Sequence, residues 1–223
     1  MQSGIAKTGT MNNDFIFLSV AFGERYVEQQ TRLHQSILRL YTSSHHIAWT
    51  DRLPPCCLSH KQSLYGFKVH AVAWAKHQGY KKIIWLDPAC ILQHPIDHWF
   101  SEGMPPVLAV KDDNTLNKMI GKKAMNYYGN PDITGWHLVG GSLYVFDFNK
   151  PVTNDIFNHW HKAESDGIFG SQAEQSSEKI NGHRNDESCM AVAMYSRGIE
   201  PVGHDVARYN QNEDSIIRKF HFK

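Results

Sequence analysis

Three short apolar runs in the first ninety residues constrain the fold of this chain more than any other feature. They are Phe15–Ala21, residues 46–49 and Lys82–Leu86, and two segments with the apolar spacing of a helix, residues 26–41 and 61–79, separate them. The last run contains no alternating polar residues, which is typical of a strand that is covered on both faces. A strand–helix–strand–helix–strand order predicts an open, mostly parallel α/β sheet.

The second half of the chain is less regular, and shorter patterns predict its elements. Strands are expected over residues 107–110 and 141–148, and helices over residues 154–161 and 186–195. Residues 163–182 are polar and rich in Ser, Glu and Gln, so we expect a mobile surface loop there.

Length and composition favour one globular domain. A chain of 223 residues, 41% hydrophobic and 20% charged, buries enough apolar surface to fold without a metal or a disulfide. No repeat or low-complexity tract divides the chain. We therefore predict one domain over residues 14–223, preceded by a flexible leader over residues 1–13.

Charge and hydropathy exclude several classes of partner. Lys and Arg total 23 against 22 Asp and Glu, so the chain has no basic field for an extended nucleic acid. No apolar run approaches the roughly 20 residues of a membrane span, and the polar N-terminal residues do not resemble a secretory signal. The four cysteines have no CxxC spacing and are expected to be reduced thiols. We expect a cytoplasmic protein without a membrane span.

Four segments of the chain contain the polar and charged residues that are suited to binding or catalysis. They are residues 65–68 (YGFK), 80–100 (YKKIIWLDPACILQHPIDHWF), 138–148 (LVGGSLYVFDF) and 183–194 (HRNDESCMAVAM). In this order they resemble the GT-A nucleotide-sugar glycosyltransferases, and the resemblance extends over residues 15–202. Phosphate-loop, dinucleotide-binding, nucleophile-elbow and zincin motifs are absent from the sequence.

The resemblance implies a GT-A-like (Rossmann-like) fold, which is a mixed, mostly parallel sheet flanked by helices in a single domain. It implies a hexosyltransferase-like enzyme that moves a sugar from a nucleoside-diphosphate donor, with UDP-sugars favoured, to an acceptor hydroxyl. The acceptor is a saccharide, a protein or another hydroxyl compound. Ligands of such sheets bind outside the carboxyl ends of the strands, where Asp51 and Asp87 fall.

The chain departs from the family pattern at the acidic DxD-type motif, because Asp87 is followed by Pro88 and Ala89. A pair of carboxylates at this motif normally holds a divalent cation against the donor diphosphate. The resemblance therefore implies a Mn²⁺ or Mg²⁺ site in which His204 joins Asp87 as a metal ligand. Alternatively, Asp87 binds a ribose hydroxyl, and a Lys or Arg side chain neutralises the phosphates.

The other candidate residues fall into three roles. Asp186 and Glu187 are the catalytic candidates, although the helix dipole also favours carboxylates in a first helical turn. Donor binding is predicted for Asp51, Lys68, Asp87 and Lys223. Acceptor binding is predicted for Trp136, Gly140 and Gly141. His221 and Lys223 lie at the basic C-terminal end with Arg218 and Lys219 and are suited to close over a diphosphate, although a frayed end is the alternative.

Two other classes of function stay open on the sequence alone. The missing second acid of the motif favours a non-catalytic relative that binds a sugar or a nucleotide. A third class is a protein that binds a partner through residues 163–182, and nothing positive in the sequence supports it.

Overall fold

The computed structural model describes residues 15–41, 45–177, 183–207, 209–210 and 215–219. In chain order its strands are β1 (Phe15–Ala21), β2 (His45–Thr50), β3 (Lys82–Leu86), β4 (Cys90–Leu92), β5 (Val107–Thr115), β6 (His137–Asp147), β7 (Tyr209–Asn210) and β8 (Ile217–Lys219). Its helices are α1 (Glu24–Leu40), α2 (Gly66–His77), α3 (Leu116–Met119), α4 (Lys122–Tyr127), α5 (Pro151–Ser165), α6 (Gln172–Ser177), α7 (Asn185–Tyr195) and α8 (His204–Ala207). A 3₁₀ turn covers Asp97–Phe100.

Five of the strands form a mixed sheet in the order β2-β1-β3-β6-β5. Strand β1 pairs in parallel with both β2 and β3, while β6 lies antiparallel between β3 and β5. Four strands of this sheet therefore run in one direction, and β6 runs in the other. The predicted α/β fold with a mixed, mostly parallel sheet is confirmed. A second, three-stranded sheet has the order β4-β8-β7.

The central strands are buried on both faces. In β1, Ile16 and Leu18 join a core that includes α2, α5 and α7, whereas Phe15 and Phe17 join a core that includes α1, β4 and β8. Strand β3 divides its side chains between the same two cores. This two-sided burial is the reason why the sequence of Lys82–Leu86 does not alternate. Each large apolar side chain buried in this way contributes roughly 1.5–3 kcal/mol.

Several predicted elements differ from the structure in extent, since β5 continues past residue 110, β6 begins before residue 141, and α5 is longer than residues 154–161. The helix that the spacing predicts from residue 61 begins only at Gly66, because Tyr65 has a left-handed backbone conformation with φ 61°. The predicted surface loop over residues 163–182 is wrong in part, since α5 continues through Ser165 and α6 follows.

Some predictions fall on residues outside the described part of the chain, namely the leader, residues 178–182, His221 and Lys223. All four cysteines are free thiols. Among the described helices, none combines the length and the apolar character that crossing a lipid bilayer requires.

Candidate active site

A polar cavity of about 170 Å³ lies at the carboxyl end of β3. Its walls come from α2, β6, β8, the residue that follows β3, and the start of α7. The lining residues are Tyr65, Lys68, Asp87, Ser142, Arg184, Asn185, Asp186, Glu187 and Lys219. Ligands of open α/β sheets bind at this edge, so the position and the chemistry of the cavity both indicate a binding site.

Lys68 is a buried cation at the centre of the cavity wall. It lies in the first turn of α2, and its Nζ donates hydrogen bonds of 2.9 Å to Gly141 O and to Asp186 Oδ2. The Oδ1 atom of Asp87 lies 3.9 Å from the same Nζ. Burial alone would lower the pKa of Lys68, but the carboxylates of Asp186, Asp87 and Glu187 outweigh it and raise that pKa above its ordinary value. The ammonium therefore stays charged.

Asp186 is the buried partner of this ammonium. Its Oδ2 also accepts a 3.2 Å hydrogen bond from the Tyr144 hydroxyl, and its backbone oxygen accepts one of 3.0 Å from Trp160 Nε1. Burial raises the pKa of Asp186 to about 7, although Lys68 opposes the shift. Asp186 is thus held rigidly and with little exposure, and its carboxyl is poised to titrate near neutral pH.

Glu187 connects the start of α7 to β6. Its Oε1 accepts a 2.9 Å hydrogen bond from Gly141 N, and its Oε2 accepts one of 2.7 Å from Arg184 Nε. The hydrogen bond to Glu187 raises the pKa of Arg184 above its usual value. Asn185, between Arg184 and Asp186, has a positive φ of 38°, and its Nδ2 donates to Phe169 O at 2.5 Å. These contacts fix the turn that presents both acids to the cavity.

Gly141 allows the charged groups to approach the backbone of β6. A Cβ at this position would lie 2.6 Å from Lys68 Nζ, 2.9 Å from Glu187 Oε1 and 3.0 Å from Asp186 Oδ2. Any side chain would therefore displace the ends of the Lys68 and Glu187 side chains and press against that of Asp186. The glycine has a clear packing role, and its role in acceptor binding stays a prediction, as does that of Gly140.

Asp87 presents a partly exposed carboxylate to the cavity. Its side chain is 30% exposed, and Oδ1 accepts a 3.1 Å hydrogen bond from Trp85 Nε1. Its backbone N–H donates to Ser142 O at 2.9 Å. Both contacts hold Asp87 at the end of β3, where the cavity opens.

The remaining predicted site residues lie elsewhere. Asp51 follows β2, is exposed, and accepts a 2.9 Å hydrogen bond from Gly23 N through Oδ1. His204 begins α8 and is exposed. Neither residue lines the cavity beyond β3. Lys223 is outside the described residues.

Trp136 lines a different, larger cavity of about 400 Å³. Its ring stacks on Tyr195 with centroids 4.9 Å apart and planes 9° from parallel. The lining residues of this second cavity are Tyr127, Tyr128, Pro131, Trp136, His159, Lys162, Val192 and Ser196. The predicted acceptor role of Trp136 stays a prediction.

The cavity beyond β3 does not supply the ligand set that a divalent cation requires. Mn²⁺ and Mg²⁺ prefer about six oxygen ligands, and the second motif position is Ala89. The two carboxylates at the start of α7 already accept hydrogen bonds from cationic side chains. Across the described ranges, no three His, Cys, Asp or Glu side chains are grouped so that they could hold a metal ion. The metal site of Asp87 and His204 stays a prediction.

Five lining residues are absent from the site that the sequence predicts. They are Tyr65, Ser142, Arg184, Asn185 and Lys219. Four of them, Tyr65, Ser142, Arg184 and Asn185, lie within the motif segments. The segments therefore predicted the right parts of the chain but not these side chains. Lys219 was visible as a member of the basic C-terminal end. Ser142 carries no sequence signal beyond its place after Gly141.

Comparison with known proteins finds likeness in structure alone. No protein-family model and no curated protein matches the sequence. The structure is similar to the crystal structure of a glycosyltransferase involved in the glycosylation of the major capsid of PBCV-1, with 13% sequence identity and a TM-score of 0.51, over 92% of this chain and 91% of that one. It is also similar to the apo structure of the bifunctional glycosyltransferase WbbM, with 12% identity and a TM-score of 0.54. That match covers 92% of this chain but only 42% of WbbM.

Proposed function

We propose that this chain, whose fold is similar to those of two solved glycosyltransferases, transfers a sugar from a nucleoside-diphosphate donor to an acceptor hydroxyl. The observation that carries the proposal is the cavity beyond β3, in which Asp87 and the buried ammonium of Lys68 lie 3.9 Å apart. A fixed carboxylate beside a fixed cation suits a ligand that combines hydroxyl groups with negative charge.

Asp87 is the residue to which we assign the donor. Its carboxylate accepts hydrogen bonds from a ribose or sugar hydroxyl, and Trp85 holds it in place. We favour a UDP-sugar as the donor. Asp51 and Lys223 are further donor-binding candidates, and Trp136, Gly140 and Gly141 are acceptor-binding candidates.

The two acids at the start of α7 receive different roles. The side chain of Glu187 is 14% exposed, whereas that of Asp186 is 3% exposed and pairs with Lys68. We therefore assign to Glu187 contact with the substrate and to Asp186 the positioning of the Lys68 ammonium. In the transfer, the acceptor oxygen bonds to the anomeric carbon, and the bond from that carbon to the diphosphate oxygen breaks. The acceptor proton passes to the carboxylate of Glu187.

The first test is the substitution Asp87→Asn. The amide keeps the shape of the side chain but loses the charge and half of its acceptor capacity, so we expect nucleotide release from the best donor to fall about 100-fold. The assay is release of nucleoside diphosphate from a panel of nucleotide sugars, with and without sugar acceptors. Asp113→Asn, an exposed position on β5 outside the cavity, is the matched control. Equal turnover by the two variants would contradict the assignment.

A second candidate function is binding without transfer. The observation that favours it is Ala89, which leaves the motif with one carboxylate. A protein of this kind would bind the same nucleotide sugars and release no nucleoside diphosphate with any acceptor, which the same assay distinguishes from catalysis.

A further inference from the structure

The motif position that lacks a carboxylate lies beside a basic residue from the far end of the described chain. Ala89 directly precedes β4, and the antiparallel pairing of β4 with β8 places Cys90 opposite Lys219. Lys219 is partly buried and lines the same cavity as Asp87. The fold thus brings an ammonium group to the edge of the cavity where the second carboxylate is missing.

The charges that line the cavity balance without a metal ion. The three cationic lining residues are Lys68, Arg184 and Lys219, and the three acidic ones are Asp87, Asp186 and Glu187. The first two cations are already paired with the carboxylates at the start of α7. Within the described part of the chain, no side chain forms an ion pair with the ammonium of Lys219. Among the described residues, Lys219 is therefore the lining cation whose charge is not already paired with a carboxylate.

We infer that the diphosphate of the donor is neutralised without a divalent cation, with Lys219 and Arg184 as its countercharges. This inference rests on the proposed function and specifies how the same site holds its donor. Most of the Arg184 side chain is exposed, and its Nε alone is engaged with Glu187. Its terminal nitrogens can therefore donate to phosphate oxygens in the planar geometry that guanidinium groups offer.

The two cations also act when the leaving group departs. As the bond between the anomeric carbon and the diphosphate oxygen breaks, its electron pair stays on that oxygen and adds negative charge to the diphosphate. Lys219 and Arg184 stabilise this charge by donating hydrogen bonds to it from cationic groups, which is the role of the metal ion in metal-dependent transfer. A divalent cation in the same space would meet the ammonium of Lys219, and Ala89 offers it no second carboxylate at the motif.

The test measures binding rather than turnover. Isothermal titration calorimetry on the full chain compares UDP, GDP, CDP and dTDP, first in EDTA and then in excess Mn²⁺ or Mg²⁺. We expect one nucleoside diphosphate to bind in EDTA with the same Kd as in the presence of metal. The same titrations with the corresponding nucleoside, uridine for UDP, report contacts that do not involve phosphate.

Variants then locate the countercharge. Lys219→Met keeps the apolar stem and removes the charge, so we expect about tenfold weaker binding of the diphosphate and unchanged binding of the nucleoside. Lys219→Arg retains the charge and should restore most of the affinity. Lys118→Met removes one exposed charge from α3, outside the cavity, and should change neither Kd. Thermal unfolding checks that each variant is folded.

The outcomes separate the inference from the proposed function. Binding that appears only with Mn²⁺ or Mg²⁺ overturns the inference and leaves the proposed function in place. Equal loss of diphosphate and nucleoside binding in Lys219→Met also overturns it, because Lys219 would then have only a structural role. No binding of any nucleoside diphosphate, with or without metal, overturns the proposed function itself.

Discussion

Gly141 lies beside the cavity at a point where there is no room for a side chain. A Cβ there would lie 2.6 Å from Lys68 Nζ, an atom that is itself fixed by two hydrogen bonds of 2.9 Å. At the neighbouring Gly140, the nearest atom to an added Cβ lies at 3.7 Å, which is an ordinary contact. The two adjacent glycines therefore form a matched pair for the same substitution.

We expect Gly141→Ala to lower the free energy of unfolding by about 1–3 kcal/mol and to weaken donor binding, because the methyl group displaces the ammonium of Lys68. Gly140→Ala should have little effect on either quantity. Urea unfolding and calorimetric titration of both variants measure the difference. Equal effects of the two substitutions would show that the close approach at Gly141 is unimportant.

Asp186 links the stability of the protein to pH. Burial raises its pKa from 3.8 to about 7 in the folded protein. An unfolded Asp releases its proton near pH 4, so between about pH 4 and pH 7 the folded state keeps a proton that the unfolded state has lost. Stability therefore falls as the pH rises through this range, by at most about 1.4 kcal/mol per pH unit for one proton.

The variant Asp186→Asn cannot titrate and isolates this contribution. We expect the difference in free energy of unfolding, wild type minus variant, to decrease as the pH rises from about 4.5 to about 7 and then to level off. Urea unfolding at several pH values measures the two curves, and the histidines contribute equally to both. Parallel curves would mean that the carboxyl of Asp186 has an ordinary pKa.

The secondary structure elements show what the sequence predicts well and what it does not. Strand β3 was predictable at both ends, because a continuous apolar run is followed by Asp87 and Pro88. The start of α2 was not predictable, because a contact distant in the chain sets it. Leu64 N donates to Gly170 O at 3.0 Å, and the following Tyr65 adopts the left-handed conformation. Helical spacing continues through these residues, but their backbone is held in another shape.

Helix α6 has a capping signal in the sequence, but the polar composition of the segment predicts a loop. Ser171 and Glu174 form a reciprocal capping box, in which Ser171 N donates to Glu174 Oε2 at 2.7 Å and Glu174 N donates to Ser171 Oγ at 3.3 Å. The Ser-x-x-Glu spacing is visible in the sequence, but the lack of large apolar residues around it favoured a loop. Local capping determines this short helix, and hydrophobic periodicity does not.

At the level of the whole molecule, the candidate site joins residues that are far apart in the chain. The four motif segments contributed Lys68, Asp87, Gly141 and Asp186, and all of them meet in or beside one cavity. Their order along the chain was enough to predict that they belong together. The position of Lys219 was not predictable, because it depends on the pairing of two three-residue strands that sequence patterns cannot register.

The ion pair of Lys68 with Asp186 joins α2 to α7 across 118 residues of chain, so it should affect the stability of the whole domain. Both side chains are at most 4% exposed, and removal of one partner leaves the other buried without its countercharge and its hydrogen bond. We expect Lys68→Met to lower the free energy of unfolding by about 3–5 kcal/mol. The measurement is urea unfolding at about pH 8, above the pKa of Asp186 in the wild-type protein.

The double variant Lys68→Met with Asp186→Asn removes both charges and should cost less than the sum of the two single substitutions. The exposed pair of Lys123 with Glu174, at the same N–O distance of 2.9 Å, provides the contrast, since both of its side chains are 47% exposed. Lys123→Met should cost less than about 1 kcal/mol, because water screens the remaining charge. If the losses in free energy of unfolding of the two single variants add up to the loss in the double variant, the pairing of Lys68 with Asp186 is contradicted. A large coupling at the buried pair and a small cost of Lys123→Met at the exposed pair would mean that burial, rather than distance, makes the Lys68 ammonium part of the fold as well as of the site.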